Sequence, residues 1–183
     1  MAYSSLEALR DSETRYRNLV ETAPEVIYTL SAKDGRITSL NPAFEKLIGW
    51  SRNEWLGKSF ESIIHPEDLP LAIETFQKVL CGETLSPYEL RVLSKSGGYL
   101  VGEFTSTPLI KNGEVIGEFG IVRDITERKR MEQELEKSYS LLHATIESTA
   151  DGILVINRNG KIVNFSQKFA ELWHIPDSIL ASR

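Results

Sequence analysis

The sequence predicts an α+β domain built on an antiparallel sheet, followed by a long helix and then a second copy of the domain's beginning. Three observations carry this. Apolar, β-branched stretches fall as two strands, several short helices and three further strands, an order that suits an α+β domain. Tight-turn signals stand between the strands, at Lys33-Asp34-Gly35-Arg36, at Gly97-Gly98 and at Asn112-Gly113, the last a type I′ signature. No Gly or Pro interrupts the chain between Gly120 and Ala150, so the last strand runs into a charged helix as one mechanical piece.

In chain order, Leu6, Leu9, Tyr16 and Leu19/Val20 recur three or four apart, which predicts an amphipathic helix over 1–22 ended by Pro24. Val26 to Leu30 and Ile37 to Leu40 read as hairpin partners. Asn41-Pro42 reads as a helix start, with Asn41 as N-cap, and Gly49 closes that helix. Ser51 and Ser59 open two more short helices. His65-Pro66-Glu67-Asp68 opens a longer one, with acids at its positive end and Leu69, Ile73, Phe76, Val79 and Leu80 along it. Strands follow at Tyr88 to Leu93, Tyr99 to Leu109 and Val115 to Asp124. The exit helix carries Ile125, Leu135, Tyr139, Leu142 and Ile146 at imperfect heptad spacing, with Arg128–Glu132 and Arg130–Glu134 as supporting pairs.

The start of the domain then recurs at an offset of 125 residues, from Gly35 to Gly160 and from Phe44 to Phe169. Thr145 to Ile156 echoes Asn18 to Leu30. The expected division is a 1–22 helix, a 23–126 domain, a 127–147 connecting helix and a 148–183 second module. That module stops before any counterpart of the last three strands, so the chain reads as a piece of a longer protein. The totals exclude several classes. A net charge of −5 argues against non-specific nucleic-acid binding. No apolar run reaches the ~20 residues of a membrane span, and the N-terminus has no signal-peptide core. One cysteine, Cys81, allows no internal disulfide and fits a reducing, cytoplasmic compartment.

Taken together, Ala23-Pro24, Asp34-Gly35, Asn41-Pro42-Ala43-Phe44, Gly49-Trp50, Glu54-Trp55-Leu56-Gly57-Lys58, His65-Pro66-Glu67-Asp68, Lys95-Ser96-Gly97 and Arg123-Asp124-Ile125-Thr126-Glu127-Arg128 resemble the PAS domain family, in two tandem modules. The likeness runs over about residues 13–130. It implies a five-stranded antiparallel sheet with short helices cupped over one face and a pocket between. It also implies a sensor or dimerisation input of a two-component signalling protein, most often a histidine kinase, with the output domain further along the parent chain. Val101 departs from the Trp that many members carry there.

The resemblance makes Asp124, Ile125 and Thr126 the signal-transmission motif. The carboxylate would take a hydrogen bond or ion pair, and the hydroxyl would cap the departing helix. Pocket candidates are Leu90, Val92, Phe104 and Val122 on the sheet and Ile73 and Phe76 on the long helix. Flavin is disfavoured: the members that bind it would carry amides at Val92, Gly102 and Val122. Haem is disfavoured because no histidine lies on the helix at 67–80. The expected cofactor is none, with a small apolar ligand as the occupant if there is one. Glu118 falls inward if its strand is regular, where it could hold a cationic ligand; a bulge turning it outward is the expectation. Cys81 at a helix C-terminus makes a poor nucleophile, and His65, His143 and His174 are too scattered to ligate a metal. No catalytic constellation is present, so this piece is expected to be no enzyme. A homodimer through the N-terminal and connecting helices is expected. Two readings stay open on the sequence: a ligand-sensing module, and a ligand-free dimerising relay with a filled core.

Overall fold

The computed structural model describes residues 2–148 and 151–175, with residues 2–6 and 8 described by their backbone alone. The side chain of Leu6, the Thr149-Ala150 part of the repeat and the end of the second module lie outside the described residues. Contacts divide the chain into Met1–Lys129 and Arg130–Arg183. The first unit contains α1 (Ala2–Thr22), β1 (Val26–Ser31), β2 (Ile37–Leu40), α2 (Ala43–Ile48), α3 (Arg52–Trp55), a 3₁₀ turn (Phe60–Ser62), α4 (Leu69–Leu80), β3 (Tyr88–Leu93), β4 (Tyr99–Lys111) and β5 (Glu114–Asp124). The helix α5 (Thr126–Glu147) starts in this unit and continues into the second.

The five strands form one antiparallel sheet in the order β2-β1-β5-β4-β3. The three C-terminal strands are a meander, and β5 returns to the centre to pair with β1. Asn112 and Gly113 have φ of 53° and 85°, both positive, which the tight β4–β5 turn requires. One face is covered by the short helices. Val26, Tyr28 and Leu30 of β1 point into it at alternate positions, as do Leu90 and Val92 of β3, and all five are buried. Over this face Phe44, Trp50 and Trp55 pack edge to face, with centroids 6.0–6.5 Å apart.

Two helix starts differ from the sequence reading. Asn41 is not the N-cap of α2; its amide is 1% exposed and reaches back under β1. Oδ1 accepts from Ile27 N at 3.0 Å, and Nδ2 donates to Val20 O (3.1 Å) and Glu25 O (2.9 Å). The orphan carbonyls at the end of α1 and before β1 draw this side chain more strongly than the first turn of α2 does. At α4 the Asp68 carboxylate makes no cap either. It accepts from Arg91 N at 2.8 Å and from the Arg91 guanidinium at 2.7 and 2.9 Å, tying α4 to β3. That guanidinium holds the Asp68 carboxyl below the usual carboxylate range. The stability this linkage contributes is present near neutral pH and is lost as pH falls through the depressed value.

In the second unit β6 (Leu154–Ile156), β7 (Ile162–Phe165) and α6 (Gln167–Leu172) repeat the order of β1, β2 and α2. Ser166 stands at the position equivalent to Asn41. Its hydroxyl accepts from Ile153 N (2.9 Å) and also caps α6 through Phe169 N (3.2 Å). Leu154, Val155, Ile156, Ile162 and Val163 of this hairpin are exposed.

Candidate functional site

Between the sheet and the helices lies a cavity of about 80 Å³. Leu90, Val92, Phe104 and Val122 are on its wall, together with Tyr28, Leu30, Phe44, Phe60 and Ala72. Ile73 and Phe76 are not. Ile73 is 37% exposed, and the Phe76 ring packs on Phe60 at 5.2 Å. The reason is helical phase: α4 buries Ala72, Thr75 and Val79, spaced three and four apart. Its inward stripe is made of small residues, and the larger Ile73 sits one position round the helix. Val92, Gly102 and Val122 also line the cavity and offer it no polar side-chain atom.

The expected bulge at Glu118 is displaced. β5 has an extra residue at Ile116, where the β4 register steps between Leu109 and Ile110. From Gly117 onward the alternation is regular, so Glu118, Gly120 and Val122 all point inward. Glu118 is 2% exposed and lines the cavity. Its Oε1 accepts from the Tyr28 hydroxyl at 2.6 Å and from Ser106 Oγ at 2.8 Å. Ser106, itself fully buried, shares a hydrogen bond with the Tyr88 hydroxyl at 2.9 Å. Tyr28, Ser106, Tyr88 and Glu118 thus form one polar cluster in an otherwise apolar chamber. Nothing in the composition announces it. The signal was strand parity: each member shares the inward register of its strand, visible only once the bulge is placed before Gly117.

Burial pushes the Glu118 carboxyl above its ordinary range, against the opposing pull of the two hydroxyl donors. Burial, reinforced by Glu118, pushes the Tyr28 phenol well up as well, so Tyr28 stays protonated and donates. A carboxyl with a raised folded-state value favours the fold while protonated and loses that advantage as pH rises through the raised value. Glu118→Gln should therefore stabilise the chain at pH 7.5 by about 1–2 kcal/mol, the scale of a favourable single substitution. The gain should shrink toward pH 4. Urea melts at the two pH values check both sign and trend.

The transmission motif sits at the rim of the same cavity, which Val101, Gly102 and Asp124 also line. Asp124 Oδ1 accepts from the Thr126 backbone N–H (2.8 Å) and hydroxyl. The Thr126 hydroxyl does not cap its own helix; its oxygen accepts from Val101 N on β4 at 2.9 Å. Ile125 is 3% exposed, and its N–H donates to Val101 O at 2.9 Å. Two salt links brace the first turn of α5, Lys129 to Glu89 at 2.8 Å and Arg128 to Glu103 at 3.7 Å. Beyond that turn Leu135, Tyr139 and Leu142 are exposed, as are Leu9, Tyr16 and Leu19 on α1. Ile125 and Ile146 are buried, so only the middle of the expected seam on α5 is open.

The family described as the PAS fold matches residues 20–130, and one described as a PAS domain matches residues 140–183. Sporulation kinase E of Bacillus subtilis is 28% identical over 172 residues, covering 94% of this chain and 23% of that protein. A sensory box histidine kinase/response regulator from Burkholderia thailandensis superposes with a TM-score of 0.56 at 27% identity, over 71% of this chain and 98% of that one. An RNA-binding light-oxygen-voltage receptor gives 0.59 at 25% identity, over 73% and 38%. The chain spans about a fifth of the length of the curated relatives it matches. No helix among the described residues is long and apolar enough to cross a membrane.

Proposed function

The chain belongs to the PAS domain family of signal-transduction sensor modules, and on that footing we propose that its first module passes a ligand or conformational signal through Asp124, Ile125 and Thr126 into α5. The output lies in a downstream effector domain of the parent protein, of the histidine kinase kind; this piece senses and does not catalyse. One observation carries the reading. Val101 and Asp124 line the cavity, and the same two residues hold Thr126 at the start of α5. A change in what fills the cavity acts on the clamp without an intermediary. The wall supports a small, mostly apolar occupant rather than flavin, since Val92, Gly102 and Val122 give a ring no side-chain partner.

Asp124→Ala and Thr126→Ala should each cost about 1 kcal/mol, as loss of a helix-terminal hydrogen bond does. The fold should remain, while hydrogen exchange at the amides of residues 126–130 speeds up about fivefold, the factor that about 1 kcal/mol sets. Unchanged exchange in these variants, or global unfolding, would remove the support for a hinge.

Dimerisation belongs to the same proposal. The open stripes of α1 and α5 each lack an apolar partner among the described residues and suit a second copy of the chain, packed helix to helix. Leu135→Asp together with Leu142→Asp should convert a dimer to a monomer in sedimentation equilibrium without lowering the melting temperature of the first unit. A chain that is monomeric throughout would count against it.

A further inference from the structure

A buried carboxyl facing an apolar chamber is costly unless something answers it. Both hydrogen bonds to Glu118 fall on Oε1, and among the described residues Oε2 accepts none. No Lys, Arg or His among the described residues lines the cavity; its ionisable residues are Tyr28, Tyr88, Glu118 and Asp124, each of which is neutral or negative. The groups facing Glu118 from the packed elements are Tyr28 of β1, Tyr88 of β3 and Ser106 of β4, with Thr75 of α4 beside Tyr88. Phe104 stacks on the Tyr88 ring at 5.7 Å and meets the Tyr28 ring edge to face at 6.2 Å, so the two hydroxyl-bearing rings of the polar cluster are held by a third aromatic ring.

We propose that this cavity binds a small organic cation, an ammonium group on a short apolar body, with Glu118 as its counter-ion. The ammonium supplies the donor that Oε2 lacks, in a charge-assisted bond stronger than a neutral hydroxyl can make. The hydroxyls of Ser106 and Tyr88 can turn to accept its remaining protons. The apolar wall of Leu90, Val92 and Val122 takes the hydrocarbon. At about 80 Å³ the chamber is roughly half the ~150 Å³ that accepts the six carbons of benzene, which limits the whole ligand to roughly three heavy atoms without rearrangement, the size of ethylammonium. Binding favours the ionised carboxylate, so any proton that burial holds on Glu118 in the empty chamber is released to solvent as the ammonium enters.

The proposal rests on the cavity being the module's input site, but its test does not depend on the hinge. Titration calorimetry of the 183-residue chain with ethylammonium, ethanol and acetate compares cation, neutral isostere and anion at nearly one size. Ethylammonium should bind at least tenfold more tightly than ethanol, with acetate weaker still. Glu118→Gln should abolish that preference. In the native chain, affinity for ethylammonium should fall by up to tenfold per pH unit below the raised Glu118 value, while that for ethanol stays flat. The pH profile keeps the test valid if the Gln variant does not fold. Equal or better binding of ethanol or acetate, no binding of ethylammonium at millimolar concentration, a preference surviving in Glu118→Gln, or a flat pH profile would each overturn the proposal. Ethylammonium that binds without altering exchange at the start of α5 would instead count against transmission alone.

Discussion

Asn41→Ala is expected to lower the stability of the first unit by about 3–5 kcal/mol, a large loss for one uncharged polar side chain. The amide is 1% exposed and satisfies one backbone N–H and two backbone carbonyls on three separate residues. Removing it strands Ile27 N, Val20 O and Glu25 O, at about 1–3 kcal/mol for each buried group left without a partner, less where water can reach the site. Asn41→Asp keeps the acceptor for Ile27 N but turns a carboxylate oxygen onto the carbonyls of Val20 and Glu25, so at neutral pH it should cost at least as much as alanine. Asn41→Ser places there the residue the second module has at Ser166, which keeps a bond to the strand while also capping its helix. Urea denaturation followed by tryptophan fluorescence ranks the series. If Ala and Asp both cost under about 1 kcal/mol, Asn41 is only a cap.

Gly120→Ala should cost about 3 kcal/mol, the upper part of the range for overpacking a core. A Cβ at Gly120 would lie 2.2 Å from Cζ of Tyr28 and 2.4 Å from its hydroxyl oxygen. Tyr28 lies flat across this glycine because the register pairs the two residues and because Glu118 and Ser106 hold its hydroxyl. Displacing the ring breaks the 2.6 Å bond to Glu118 and the edge-to-face contact with Phe104. The near-ultraviolet circular dichroism of the tyrosines should change with the loss of stability. Gly98→Ala is the control: nothing lies within 4 Å of its added methyl, and it should cost under about 0.5 kcal/mol. Equal effects at the two glycines would mean that Tyr28 is not seated as described.

Much of the fold could be read from residues alone because its signals are local. Period-two apolar runs, the Asn112-Gly113 turn and the change from β-branched to charged residues at Asp124 each specify a backbone within a few positions. All of these features stand where the sequence placed them. The cavity wall was legible in part, since Leu90, Val92, Phe104 and Val122 follow strand alternation. Ile73 and Phe76 were misplaced because the inward stripe of α4 is built from Ala72 and Thr75, which carry little hydrophobic weight. Glu118 was turned the wrong way because one extra residue in a strand inverts every side chain after it, and the position of that residue depends on the partner strand.

By itself the sequence determined the order of strands and helices, their turns, the second copy and the unbroken passage from β5 into α5. Tertiary structure alone decided where the polar side chains went. Asn41 found the end of α1, Thr126 found Val101, and Tyr28 and Ser106 found Glu118, each across a stretch of chain that local preference does not span. Short polar side chains have several backbone and side-chain partners of similar strength within reach, and the choice falls to whichever buried group would otherwise be left unpaired.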